Sequence, residues 1–120
     1  MKINPEMSVF DVQNAFTTLF PGLKLEMYSQ AHEHGEISSN KDILKGNVKL
    51  SELNPDLGNA DFEVSEDMTV AELEQQFSEK FKLNVQVYRR SNNIWLQTST
   101  TDDWTLAVQN RKGLHSVQNS

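Results

Sequence analysis

The sequence predicts an α+β fold, a two-layer sandwich in which helices cover one face of an antiparallel sheet. Two observations carry that reading. The first is a capped amphipathic helix running straight into an alternating strand, at Met68-Thr-Val-Ala-Glu-Leu-Glu-Gln-Gln-Phe-Ser-Glu-Lys-Phe81 and Leu83-Asn-Val-Gln-Val-Tyr88. The second is that the pattern occurs twice. Met7, Ser8, Val9, Val12, Phe16 and Phe20 fall on Met68, Thr69, Val70, Leu73, Phe77 and Phe81, and after one extra residue Leu25, Met27 and Tyr28 fall on Val85, Val87 and Tyr88.

Each element has a local cause. Lys2-Ile3-Asn4 reads as a short strand closed by Pro5. Ser8 is an N-cap with Asp11 three residues on, and Met7 and Val12 have the spacing of a hydrophobic staple. Thr69, Glu72, Met68 and Leu73 repeat that start. Val9, Val12, Phe16, Leu19 and Phe20 lie on one helical face, as do Val70, Leu73, Phe77 and Phe81. Pro21-Gly22 ends the first helix. The strands that follow alternate: Leu23, Leu25 and Met27 oppose Lys24, Glu26 and Tyr28, and Leu83, Val85 and Val87 oppose Asn84, Gln86 and Tyr88. Asp61-Phe-Glu-Val-Ser65 alternates as a strand before the second helix.

Residues 29 to 60 are less regular. Gln30–Glu36 reads as a loop or hairpin tip, Ile37-Ser38-Ser39 as a short returning strand and Asp42–Lys45 as one helical turn before Gly46. Val48–Leu53 reads as a short helix stopped by Asn54-Pro55, matching Trp104–Gln109 at the end of the second copy. Asp102-Asp103 reads as the N-cap of that last helix in preference to a catalytic carboxylate pair. Ile94–Thr98 forms a hairpin with the strand before it, turned by Asn92-Asn93. A two-residue turn sets Trp95 across from Arg90 and Leu96 across from Arg89, so Ile94 and Leu96 face the core.

Two strand–helix–strand units in one domain point to a ferredoxin-like sandwich, with a β-grasp (ubiquitin-like) arrangement as the alternative. The expected domain covers 1–113, with copies at about 1–54 and 60–110, and 114–120 as a disordered tail. The 120 residues suffice for one core. No cysteine is present, which excludes disulfides, thiolate metal sites and a cysteine nucleophile. The opening Met1–Glu6 lacks a basic tip followed by an apolar run, and no stretch has the length of a membrane span, so a cytoplasmic protein is expected. The formal charge of −6 argues against general nucleic-acid binding, although Arg89, Arg90, Arg111 and Lys112 gather in the last third.

No phosphate-binding glycine loop, nucleophile elbow or zinc-protease motif is present, and the chain reads as a non-enzyme without a cofactor. Tyr28, Tyr88, Arg90 and Trp95 form the main candidate site. By alternation all four stand on the sheet face away from the helices, where apolar area is left uncovered. A protein partner or a second copy of the chain is the expected occupant, since Tyr, Trp and Arg dominate binding hot spots. Stacking of single-stranded nucleic acid is a further use. The plain alternative is that long polar stems shield the rings. A separate site for a metal or small ligand is offered by His32, His34 and Glu36, because alternating positions on a strand point to one side; the plain alternative there is a polar turn.

Val85-Gln-Val-Tyr-Arg-Arg-Ser-Asn-Asn-Ile-Trp-Leu-Gln-Thr98 and Asp103-Trp-Thr-Leu-Ala-Val-Gln-Asn-Arg-Lys-Gly113 resemble small uncharacterised proteins of Bacteroidetes-type bacteria, best over 68–113. The family has no assigned activity. The resemblance implies a bacterial cytoplasmic origin and carries over no functional residue; it departs from the pattern at Val108, where an acidic residue is expected. The reading that results is a non-enzymatic binding or assembly module acting through an open aromatic sheet face.

Overall fold

A computed structural model describes residues 1–29 and 43–118, with side chains up to residue 116. The chain runs through β1 (Lys2–Ile3), α1 (Val9–Leu19), β2 (Leu23–Ser29), β3 (Ile43–Leu44), α2 (Leu50–Leu53), β4 (Phe62–Glu63), α3 (Val70–Gln76), β5 (Leu83–Ser91), β6 (Ile94–Gln97) and α4 (Leu106–Gln118). It is a mixed fold of helices and antiparallel sheet, as expected.

Both helix starts form capping boxes. The Asp11 amide donates to Ser8 Oγ at 3.0 Å, and the Ser8 amide donates to Asp11 Oδ2 at 3.0 Å. Thr69 and Glu72 make the same exchange at 3.1 and 2.9 Å. The first amides of a helix have no partner within it, and here the chain supplies one from afar. Val9 and Phe10 N–H donate to the carbonyls of Val48 (3.0 Å) and Gly46 (2.9 Å), while Leu50 and Ser51 N–H donate back to Met7 (3.0 Å) and Pro5 (2.9 Å). In the second half, Val70 and Ala71 donate to Trp104 (3.2 Å) and Asp102 (2.8 Å), and Leu106 and Ala107 donate to Met68 (2.8 Å) and Glu66 (3.0 Å). Each long helix is thereby clipped at its start to the start of a later helix.

The four-stranded sheet has the order β3-β2-β5-β6. β2 and β5 lie side by side in its centre, pairing Leu25 with Val87 and Met27 with Val85. Those side chains and Leu23 and Leu83 are buried in one cluster with Val12, Phe16, Leu73 and Phe77, so α1 and α3 cover the same face of the sheet. A widened helical turn at Phe77–Phe81 extends α3, and Lys82 then adopts φ 55° and ψ 40° to send the chain into β5. Phe77 and Phe81 both reach the core, where Phe62 meets the Phe77 ring edge-on at 5.1 Å.

Several expectations are corrected. A ferredoxin-like sheet would hold the opening strand of each unit together with the strand after its helix. Here β1 and β4 pair only with each other among the described residues, through Lys2↔Glu63 and Ile3↔Phe62. The reason is that β2 and β5 occupy the centre of the main sheet and leave the short opening strands no slot there. The Met1 amino group secures the small ribbon, 2.7 Å from Glu63 and donating to the Val64 carbonyl at 3.0 Å.

Ile43–Leu44, expected in a helical turn, is β3, paired with Tyr28 and Met27. The tail expected to be disordered from residue 114 is instead the end of α4, which runs on to Gln118. Gly113 does not stop that helix; it lets it touch the sheet. A Cβ there would lie 2.4 Å from the Gly22 carbonyl oxygen. Asn110 Oδ1 accepts from the Gly22 amide at 2.7 Å, and Ser116 Oγ donates to the Arg90 carbonyl at 3.1 Å. The cap of α4 is Thr105, whose Oγ1 accepts from Val108 N–H at 3.2 Å, and not Asp102 or Asp103. Leu19, expected on the buried face of α1, is 45% exposed.

Candidate binding face of the sheet

The face of the main sheet turned away from the helices is set by the alternation of β2 and β5. The register pairs Lys24 with Tyr88, Glu26 with Gln86 and Tyr28 with Asn84. The hairpin joins β6 to this face in the expected register, Arg90 opposite Trp95 and Leu96 opposite Arg89, with Asn92 at φ 53° in the turn. Positive φ is a conformation that asparagine tolerates better than most residues. Tyr28, Tyr88, Arg90 and Trp95 therefore stand on one surface, all partly buried.

Their contacts make one cluster. The Tyr28 and Tyr88 hydroxyls lie 3.3 Å apart. Arg90 places its guanidinium carbon 5.5 Å from the centre of the Trp95 ring, and its Nε donates to the Asn92 carbonyl at 2.7 Å. Lys24 joins the two pairs, its Nζ 5.3 Å from the Tyr88 ring and 5.2 Å from the Trp95 ring. A cation over an aromatic face is attracted by the ring's quadrupole, so the two rings hold Lys24 and Arg90 in place without neutralising them. Glu26 Oε1 lies 3.8 Å from Lys24 Nζ. The Tyr28 hydroxyl is held well above its ordinary pKa, first by burial, then by its hydrogen bond to Tyr88 and the nearby negative charge of Glu26. It remains protonated and serves as a hydrogen-bonding group.

Gln86 sits at the centre of this face. Its Nε2 is buried and, among the described residues, has no hydrogen-bond partner. Beside the face, a groove of about 300 Å³ runs between α1 and β2, lined by Phe10, Gln13, Asn14, Thr17, Lys24, Leu25 and Glu26. Gln13 Nε2 donates to the Leu25 carbonyl there at 3.0 Å, which covers part of the β2 edge.

Sequence reasoning singled out the two tyrosines, Arg90 and Trp95, and passed over Lys24. The signal was present, since Lys24 shares the alternation of Glu26 and Tyr28, but its role depends on the β2–β5 register, which places it against Tyr88. Arg89 belongs to the other side. It donates to Gln109 Oε1 at 3.0 Å and lies over Trp104 at 5.5 Å, helping to seat α4. The expected inward position of Ile94 and Leu96 is corrected despite the right register: they are 58% and 38% exposed, because α4 packs over β5 and leaves the helix-side surface of β6 uncovered.

His32, His34 and Glu36 lie outside the described residues. Among the described residues no group of three or more His, Asp or Glu side chains is arranged to hold a metal, and no helix is long and apolar enough to cross a membrane. Against known proteins, no family model, curated protein or solved structure matches this chain.

Proposed function

We propose that the protein is a non-enzymatic binding or assembly module of the cytoplasm, and that Tyr28, Tyr88, Arg90 and Trp95, with Lys24, are its contact surface for a protein partner. One observation carries this reading: the stack of Arg90, Trp95, Lys24 and Tyr88 on a sheet face that no helix covers among the described residues. Rings and a guanidinium held in fixed positions lose little conformational freedom when a partner arrives, which is the property of residues that dominate interfaces. The test compares wild type with Trp95→Ala as immobilised bait in an extract of the source cells, and compares both by sedimentation. A bound species or self-association that disappears in Trp95→Ala, while the denaturant melt loses only about 1–2 kcal/mol, is the expected result. Equal retention and equal association for the two proteins would reject the face as a binding surface.

We also read the chain as a tandem duplication of a strand–helix–hairpin–helix unit, in preference to a β-grasp. The two clips at the helix starts support it. So do the two registers. A shift of 61 residues sets Met7 on Met68 and carries Lys2 onto Glu63, and Lys2 pairs with Glu63. A shift of 60 sets Tyr28 on Tyr88 and carries Glu26 onto Gln86, and Glu26 pairs with Gln86. Corresponding residues thus meet in both sheets, as a twofold axis relating the halves requires. The axis passes under the Tyr28–Tyr88 hydroxyl contact.

A further inference from the structure

β6 is the edge strand of the main sheet, and among the described residues nothing pairs with its outer side. The Thr98 amide donates to the Val87 carbonyl at 3.3 Å, which sets the phase of the hairpin ladder. In an antiparallel ladder successive residues alternate between the two sides. The amides and carbonyls of Ile94 and Leu96 therefore turn to β5, and those of Trp95 and Gln97 turn outward. Natural edge strands are commonly protected by a charge, a proline or a bulge. Ile94-Trp-Leu-Gln97 has none of these in its sequence or pairing. Its two faces differ in chemistry. The helix side presents Ile94 and Leu96, exposed and apolar. The open side presents Trp95, stacked under Arg90 and Lys24, and among the described residues Arg90 has no carboxylate partner.

Building on the binding reading above, we propose that β6 accepts an added antiparallel strand from a partner protein, an extended segment in which acidic and apolar residues alternate. The apolar side chains of such a strand lie against Ile94 and Leu96, and its acidic side chains lie on the Trp95 side. Neighbouring strands are about 4.8 Å apart, so the added strand runs about 10 Å from β5, a span that an arginine and a glutamate bridge by meeting over the Trp95 ring. The charge of −6 on the whole chain disfavours a long acidic run, but fields are screened beyond about 8 Å at physiological salt. A few acids in alternation meet chiefly Arg90 and Lys24.

The test titrates the full chain with a fluorescein-labelled ten-residue peptide of alternating Glu and Val, followed by anisotropy. A Lys–Val peptide of the same length, a Glu–Val peptide N-methylated at alternate residues, and a single-stranded oligo(dT) are run beside it. The Glu–Val peptide is expected to bind with an affinity that falls as salt rises. Arg90→Glu is expected to weaken it about tenfold or more, as loss of a charged contact does. N-methylation removes the peptide's ladder donors and is expected to abolish binding, a control that leaves the protein untouched. Gln97→Pro removes one outward amide of β6 and is expected to do the same, with its fold verified by circular dichroism.

Equal binding of the N-methylated peptide would overturn strand addition, and equal binding of the Lys–Val peptide would overturn the acidic preference. Binding of oligo(dT) in place of the peptide would replace the proposal with nucleic-acid stacking. A concentration-dependent dimer abolished by Gln97→Pro, without peptide binding, would make the occupant a second copy. If no peptide binds while an extract partner is still lost in Trp95→Ala, strand addition fails and the contact surface stands. If Trp95→Ala changes neither assay, both fail.

Discussion

Glu74 is an acid whose ionisation opposes the fold. Its carboxyl is raised to a pKa of about 7, mainly by burial and then by the charge of Asp102. Unfolded, it titrates near 4.5, the ordinary value of a glutamate. Between those values the native chain holds a proton that the unfolded chain has released, so stability falls as pH rises from about 4.5 to 7 and levels off above. Glu74→Gln is expected to stabilise the protein at pH 8 and to bring no gain at pH 4; urea melts at the two pH values check it. At Gly113 sterics and propensity pull in opposite directions. Alanine favours a helix interior by roughly 1 kcal/mol over glycine, but the Gly22 carbonyl occupies the space its Cβ needs. Gly113→Ala should therefore destabilise by about 1–3 kcal/mol, the range for overpacking, and a stabilised variant would mean that α4 is not seated on Gly22. Trp95 offers the contrasting case. Being only partly buried on the open sheet face, it should cost the fold about 1–2 kcal/mol on truncation, against about 2–5 kcal/mol for the buried Leu73→Ala, and parallel melts separate a contact residue from a core residue.

At the level of elements, the helix starts were the most legible part of the sequence. Ser8 with Asp11 and Thr69 with Glu72 form the boxes that their spacing announces. Ser8→Ala and Thr69→Ala should each lower stability by about 1 kcal/mol with an unchanged denaturant slope. The hairpin turn was also legible, because Asn92-Asn93 suits positive φ and the alternation on either side leaves one register. Burial on β6 was not. Period-two alternation says which side chains share a face, but it does not say how far the helices reach across that face. Ile94 and Leu96 point toward the helix layer and still meet solvent. The end of α4 misled for a related reason: a glycine in a polar stretch reads locally as a stop signal, and only the approach of β2 gives it another purpose.

For the whole molecule, the pairing of β2 with β5 joins the two halves through the centre of one sheet, and one buried cluster takes side chains from both. Unfolding is accordingly expected as one transition. Amides around Val12 and around Leu73 should exchange with solvent at similar rates under conditions where global opening dominates, and a first half that opens independently would contradict a common core. By itself the sequence determined the α+β class, the two capped helices, the strands that follow them and the side of the sheet on which Tyr28, Tyr88, Arg90 and Trp95 stand. Those features depend on caps, turns and periodicities within a few residues of each other. The tertiary structure decided which strands are neighbours, and with that the separate ribbon of β1 and β4, the bridging position of Lys24 and the open edge of β6. Strand order depends on contacts between segments far apart in the chain. Local spacing carries no record of those contacts, since the same alternation serves a strand at the centre of a sheet, at its edge or in a ribbon of its own.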